Sequence, residues 1–226
     1  MNMTRLRYLI VVIAIWLGLP QMAQVSADQG NPQAYTLNAQ LLAGARAGDV
    51  AMVRRVIEQG AAINSRNRGG NTALLLFTER GDVDTVQFLL EHGADVNLPN
   101  LEKVTPLMAA SYSGHPQLVR ILLDRGARID SEDQVYKTAM VYAAGSGQTA
   151  IVEMLLDAGV DVNQSYHHQL TAMMWAAGYG KGETVQLLLG RGADSQLRDD
   201  RGKSALDIAR ETGHADVADL LNAAQH

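Results

Sequence analysis

Six histidines and no cysteines bound the chemistry open to this chain. Without a thiol there is no cysteine nucleophile, thiolate metal site, disulfide or lipid-modified cysteine. The histidines are His92, His115, His167, His168, His214 and His226, and only His167 and His168 are adjacent. Two neighbouring imidazoles in a turn suit a divalent metal, and a metal-bound water would serve a hydrolase. Such a centre needs further ligands at matching spacing, and none stands nearby. The pair reads instead as exposed recognition residues, with a metal-dependent hydrolase as the alternative from another class. Asp133, Asp199 and Asp200 also fall in turns. Carboxylates working as acid and base need a pocket and separated pKa values, which nothing in this pattern implies. There is no Gly-x-Ser-x-Gly elbow, no His-Glu-x-x-His and no phosphate-cradling glycine loop. The chain is expected to be non-enzymatic, with no catalytic residue, cofactor or metal.

The elements that carry these residues repeat. Gly60, Gly93, Gly126, Gly159 and Gly192 are spaced by 33 residues, and Gly48, Gly81, Gly114, Gly147, Gly180 and Gly213 keep the same period. So do Thr72, Thr105, Thr138, Thr171 and Ser204, and Leu89, Leu122, Leu155, Leu188 and Leu221. Several columns sharing one period mean stacked structural units, each packing on its neighbours.

One unit, residues 98–130, shows how the period folds. Thr105 suits a helix N-cap, and Pro106 the first helical position, where a missing N–H costs nothing. Met108, Ala109 and Ala110 continue the helix, and the small side chains let the next unit approach. Gly114 stops it in the left-handed conformation. His115 and Pro116 open a second helix with Leu118, Val119, Ile121, Leu122 and Leu123 as its apolar face, and Gly126 ends that. Residues 127–137 read as an extended turn leading to Thr138.

This order resembles the ankyrin repeat. The family's Thr-Pro-Leu step stands here as TPLM, with TALL, TAMV, TAMM and SALD in the other units, and its Gly-Ala-Asp-Val-Asn ending as GADVN at 93–97, GVDVN at 159–163, GARID at 126–130 and GAAIN at 60–64. The resemblance implies an all-α solenoid of helix-turn-helix units joined by β-hairpin-like turns. Four full repeats are expected at 65–97, 98–130, 131–163 and 164–196, an N-terminal capping unit at 37–64 and a shortened C-terminal one at 197–226. In the family an Asp five residues before the Thr stabilises the hairpin, and Asp133 and Asp199 match it. Two features depart from the family. The His that follows Thr-Pro-Leu is replaced by Leu75, Met108, Val141, Met174 and Asp207, so apolar packing must stand in for its hydrogen bonds. The Gly two residues before the Thr survives as Gly70 and Gly202 but becomes Lys103, Tyr136 and Gln169, and the middle hairpins are expected to differ in backbone shape.

Residues 1–27 are of another kind. Arg5 and Arg7 precede an apolar run over residues 8–19, and Val25, Ser26 and Ala27 supply small residues for cleavage. That order is a secretory signal peptide; a membrane-spanning helix needs about 20 apolar residues. Residues 28–36 follow as a short flexible linker. The expectation is export to a bacterial periplasm, with an uncleaved inner-membrane anchor as the alternative. The formal net charge is −5 and becomes more negative once Arg5 and Arg7 are removed. An acidic chain lacks the basic stripe that nucleic acid requires, and no charge-driven membrane binding is expected after cleavage.

The resemblance also implies a concave binding face built from hairpin tips and first helices, for another protein as partner. By register, repeat one contributes Arg66 and Arg68, and repeat two Leu101, Val104 and Tyr112. Repeat three contributes Val135 and Tyr136 with Lys137 and Ser146, and repeat four Tyr166, His167, His168, Leu170 and Tyr179. An apolar, aromatic centre within a polar rim is how protein interfaces are built. The competing reading is that Tyr136 and Tyr166 fold inward between hairpins. A monomeric scaffold or accessory factor is expected, with an inhibitor or immunity protein for a toxin or hydrolase as the alternative, and a secreted effector behind it.

Overall fold

The computed structural model describes residues 32–224. The expected signal peptide, 1–27, lies outside them. Two units divide the chain, 1–36 and 37–226. Of the first, the described residues 32–36 are helical, which corrects that part of the expected linker.

Twelve α-helices occur among the described residues, with no strands. They are α1 (Pro32–Ala47), α2 (Val50–Glu58), α3 (Ala73–Arg80), α4 (Val83–Glu91), α5 (Pro106–Ser113), α6 (Pro116–Asp124), α7 (Ala139–Ser146), α8 (Thr149–Asp157), α9 (Ala172–Gly178), α10 (Gly182–Gly190), α11 (Ala205–Glu211) and α12 (Ala215–Ala223). A short 3-10 turn covers His167–Gln169. The odd-numbered helices from α3 onward pack in one row and the even-numbered ones in a second.

The threonine column works as expected from its chemistry. Thr72, Thr105, Thr138, Thr171 and Ser204 have extended backbone, and each hydroxyl accepts a hydrogen bond from the N–H three residues on, at 3.2–3.4 Å. That satisfies one orphan donor at each first-helix start. Leu75, Met108, Val141 and Met174, in the slot where the resemblance led one to expect His, are all buried. Apolar packing does occupy that position. Asp207 instead reaches back to the backbone N–H and hydroxyl of Ser204.

The second-helix loops are also tied in register. The side-chain oxygens of Asn64, Asn97 and Asn163 accept from the N–H groups of Asp95, Arg128 and Asp194 in the following unit, at 2.9, 2.8 and 2.8 Å. Each asparagine thereby spends its polar group on the next repeat. The core is the aliphatic seam between the rows, with Leu89, Leu122, Leu155, Leu188 and Leu221 fully buried. Burying one such side chain contributes roughly 1.5–3 kcal/mol, so the leucine column is a large share of what holds neighbouring units together.

Candidate protein interface

Each hairpin is closed by the same rung. The N–H of Asn67, Asn100, Asp133, Tyr166 and Asp199 donates to the carbonyl of Asn71, Val104, Lys137, Leu170 and Lys203, at 2.9–3.0 Å. In four of the five, the first residue's side chain locks the turn further. Asn67, Asn100, Asp133 and Asp199 each accept, through Oδ1, from the backbone N–H two and four residues on, at 2.8–3.0 Å. A short Asn or Asp side chain is the residue type that bonds its own turn this way. Asp133 and Asp199 thus hold the place that their register implied, and Asn67 and Asn100 share it.

The expected change of backbone shape in the middle hairpins is corrected in its main point. Gly70, Lys103, Tyr136, Gln169 and Gly202 all have positive φ, from 57° to 79°. The closing rung, present in all five hairpins, accompanies the left-handed geometry whatever residue occupies it, and in four of them the side-chain anchor reinforces it. Three L-residues therefore carry strain that glycine would avoid. Hairpin four differs in another respect. Tyr166 stands where the others have Asn or Asp and makes no such anchor, and His168 joins Gln169 at positive φ.

Hairpins meet their neighbours through backbone bonds. Leu101 N–H donates to Gly69 O at 3.0 Å, Gln134 N–H to Glu102 O at 3.0 Å, and Asp200 N–H to His168 O at 3.1 Å. Arg66 is drawn into the same framework. Its guanidinium donates to Gly70 O at 3.0 Å and to Pro99 O at 2.5 Å, so it braces hairpins one and two while remaining exposed. Arg68 is exposed and borders a hollow with Leu42, Ala43, Arg46 and Asn67.

Leu101, Tyr112, Val135, Tyr136 and Tyr179 are each more than half exposed. Val104 and Leu170 are half-buried against the core. His167 stacks on Tyr136, ring centroids 4.7 Å apart, and His168 Nδ1 lies 2.7 Å from Asp200 Oδ2. Among the described residues no group of three or more His, Asp or Glu side chains converges. Tyr166 is half-buried: its ring packs on the core and its hydroxyl is buried beside Thr138. Burial pushes that phenol up to about 12. Of the two tyrosines that were open to folding inward, Tyr136 faces solvent, whereas Tyr166 is half-buried with its hydroxyl turned inward.

The first helices add a groove. Two adjoining hollows of about 580 and 560 Å³ share Tyr112, Lys137 and Tyr142. One continues over Ser146, Trp175 and Tyr179, the other over Val104, Met108 and Glu79. Tyr112 meets Tyr142 edge to face at 5.7 Å, and Trp175 lies parallel to Tyr179 at 6.1 Å. Lys137 Nζ sits 5.6 Å from the Tyr142 ring centre and 5.1 Å from that of Trp175. The Tyr142 hydroxyl donates to Asp133 Oδ2 at 2.5 Å. Burial first, and then that carboxylate, hold the phenol far above its ordinary range. Burial raises the Glu79 carboxyl, opposed by neighbouring Arg80.

Tyr142 and Trp175 were missed by sequence reasoning. Both stand four residues after their capping Thr, one turn before the positions used to map the face. Extending that face by one helical turn would have found them, since residues three and four apart share a side.

Among the described residues no helix is long and apolar enough to cross a membrane. A comparison with curated proteins gives no match. The family model described as Ankyrin repeats (3 copies) matches residues 41–133, 105–166 and 140–225. Those overlapping stretches run through every repeat described above, and the chain belongs to the ankyrin-repeat family.

Proposed function

We propose that this protein-interaction module grips its partner through the hairpin tips and first helices of repeats two to four, and that it does so in a bacterial envelope. Ankyrin repeats mark a protein–protein interaction module. One observation carries the choice of face. Of six large apolar side chains that are strongly exposed among the described residues, five (Leu101, Tyr112, Val135, Tyr136 and Tyr179) belong to the hairpins or first-helix ends of repeats two to four. Scattered exposed apolar residues need no explanation, whereas a cluster rimmed by polar groups marks an interaction site. Tyrosines at the centre and Arg68, His167 and His168 at the rim follow the usual anatomy of an interface. A partner covering about 800 Å² per side would span three repeats. Export is supported by Arg5, Arg7, the apolar run at 8–19 and the small residues before Asp28.

The test is a crosslinked pull-down from the native periplasm with the wild-type chain and a variant carrying Leu101→Ala, Tyr112→Ala, Tyr179→Ala and His168→Ala, matched for folding by circular dichroism. A partner captured only by the wild type is the expected result. Equal capture by both sinks the assignment of this face. Recovery of a periplasmic protein whose first residue is Asp28 checks export, and a chain retaining Met1 in the inner membrane contradicts it.

A further inference from the structure

In the groove between the first helices Lys137 makes no ion pair among the described residues, although Asp133 and Glu102 both act on the neighbouring Tyr142. Lys137 is half-buried, and its ammonium lies over the faces of Tyr142 and Trp175. No carboxylate of the described residues comes within ion-pairing distance of it. Asp133, the closest acid along the chain, is committed elsewhere. Its Oδ1 accepts from the Val135 and Lys137 N–H groups, and its Oδ2 from the Tyr142 hydroxyl. Those same bonds pin the Lys137 backbone at the groove's centre. A lysine head normally reaches for water; here two ring faces supply part of its stabilisation and leave its remaining donors open to an anion. Beside it, the stacked rings of Trp175 and Tyr179 line the same hollow with apolar surface.

We propose, resting on the face assigned above, that the groove receives an extended segment of the partner in which a carboxylate stands beside an aromatic or large aliphatic side chain. The carboxylate pairs with Lys137, and the apolar side chain lies on Trp175 and Tyr179. Charge complementarity selects this occupant. Lys137 is the one charged side chain common to both hollows, and a charge pair formed in an aromatic groove is stronger than one on an exposed rim. Glu79, at the opposite end, gives the segment a direction, because a carboxylate there meets like charge.

The experiment pans a phage-displayed library of random peptides on the full chain and, separately, on Lys137→Gln and Lys137→Glu, all matched by circular dichroism. The wild type is expected to enrich peptides with Asp or Glu next to Phe, Tyr, Trp or Leu. Their affinity for Lys137→Gln should fall at least about tenfold, and Lys137→Glu should enrich Lys- or Arg-bearing peptides instead. Peptides that lose affinity with Tyr112→Ala and Tyr179→Ala but bind Lys137→Gln equally well overturn the carboxylate while leaving the face intact. Peptides indifferent to all three substitutions overturn both. A library that enriches no Lys137-dependent peptide also overturns the proposal.

Discussion

Tyr136 and His167 stack at 4.7 Å, their planes 18° apart, at the junction where the hairpin tips lack a backbone rung. Tips one and two, two and three, and four and five are each joined by an N–H to carbonyl bond. The equivalent bond from His167 N–H to Val135 O is absent among the described residues. Tyr166 is part of the cause: an aromatic ring cannot make the turn-locking bonds of Asn or Asp, and the tip relaxes into a 3-10 turn. Ring stacking then connects repeats three and four on the exposed side. Stacked aromatics contribute about 0.5–1.5 kcal/mol beyond their burial, comparable to the hydrogen bond that they replace.

Hairpin four should therefore be the most open of the five. The N–H groups of Gly69, Glu102, Val135 and Arg201 are each bonded to an Asn or Asp oxygen at 2.8–3.0 Å, and that of His168 has no such acceptor. Amide hydrogen exchange resolved by residue is expected to show His168 exchanging fastest of these equivalent sites. Equal protection at all five contradicts the account of the turn.

Left-handed strain can be released where the side chain does little. Lys103 has a φ of 62° and an exposed side chain. An L-residue there costs roughly 1–2 kcal/mol, partly offset by the greater freedom glycine loses on folding. Lys103→Gly should stabilise the protein by about 0.5–1 kcal/mol in urea unfolding. Destabilisation would show that the lysine side chain makes a contact outweighing the strain.

Removing one oxygen tests the floor of the groove. Tyr142→Phe keeps the ring beneath Lys137 but leaves Asp133, almost fully buried, with one donor fewer. The expected loss is about 1.5–3 kcal/mol of unfolding free energy, as for a hydrogen bond to a charged group. The pairing of Lys137 with a partner carboxylate should survive it.

Acid should weaken the C-terminal unit first. Burial works to raise the Asp199 carboxyl, but the Lys203 and Arg201 N–H groups and the Arg201 guanidinium outweigh it and hold it low. Bonds from the Ser204 N–H and hydroxyl lower Asp207 against burial, aided by Arg198 and Lys203. With the folded pKa below the unfolded one, the contribution is full above the unfolded value near about 4 and lost as pH falls through the folded one. Thermal unfolding of wild type and Asp199→Asn/Asp207→Asn should differ most near neutral pH and converge below about pH 4. A constant difference down to strong acid would mean that the two carboxylates stabilise by shape alone.

The amino-acid order determined the repeat and its helices because those signals are local. A cap acts between Thr105 and Met108, three residues apart, and a leucine column needs only a constant period to fill one seam. The turn anchors at Asp133 and Asp199 were legible for the same reason. What the chain order concealed depends on how stacked units sit against each other. Lys103, Tyr136 and Gln169 in place of glycine suggested altered hairpins, yet the left-handed backbone persists in every turn that the closing rung joins. Tyr166 turned its hydroxyl inward while Tyr136 stayed out, a choice made by the space between hairpins. The groove formed only when Lys137, Tyr142 and Trp175 were brought together from two successive repeats. Contacts between segments some 33 residues apart are set by the rotation between stacked units, and that rotation is a property of the assembled fold.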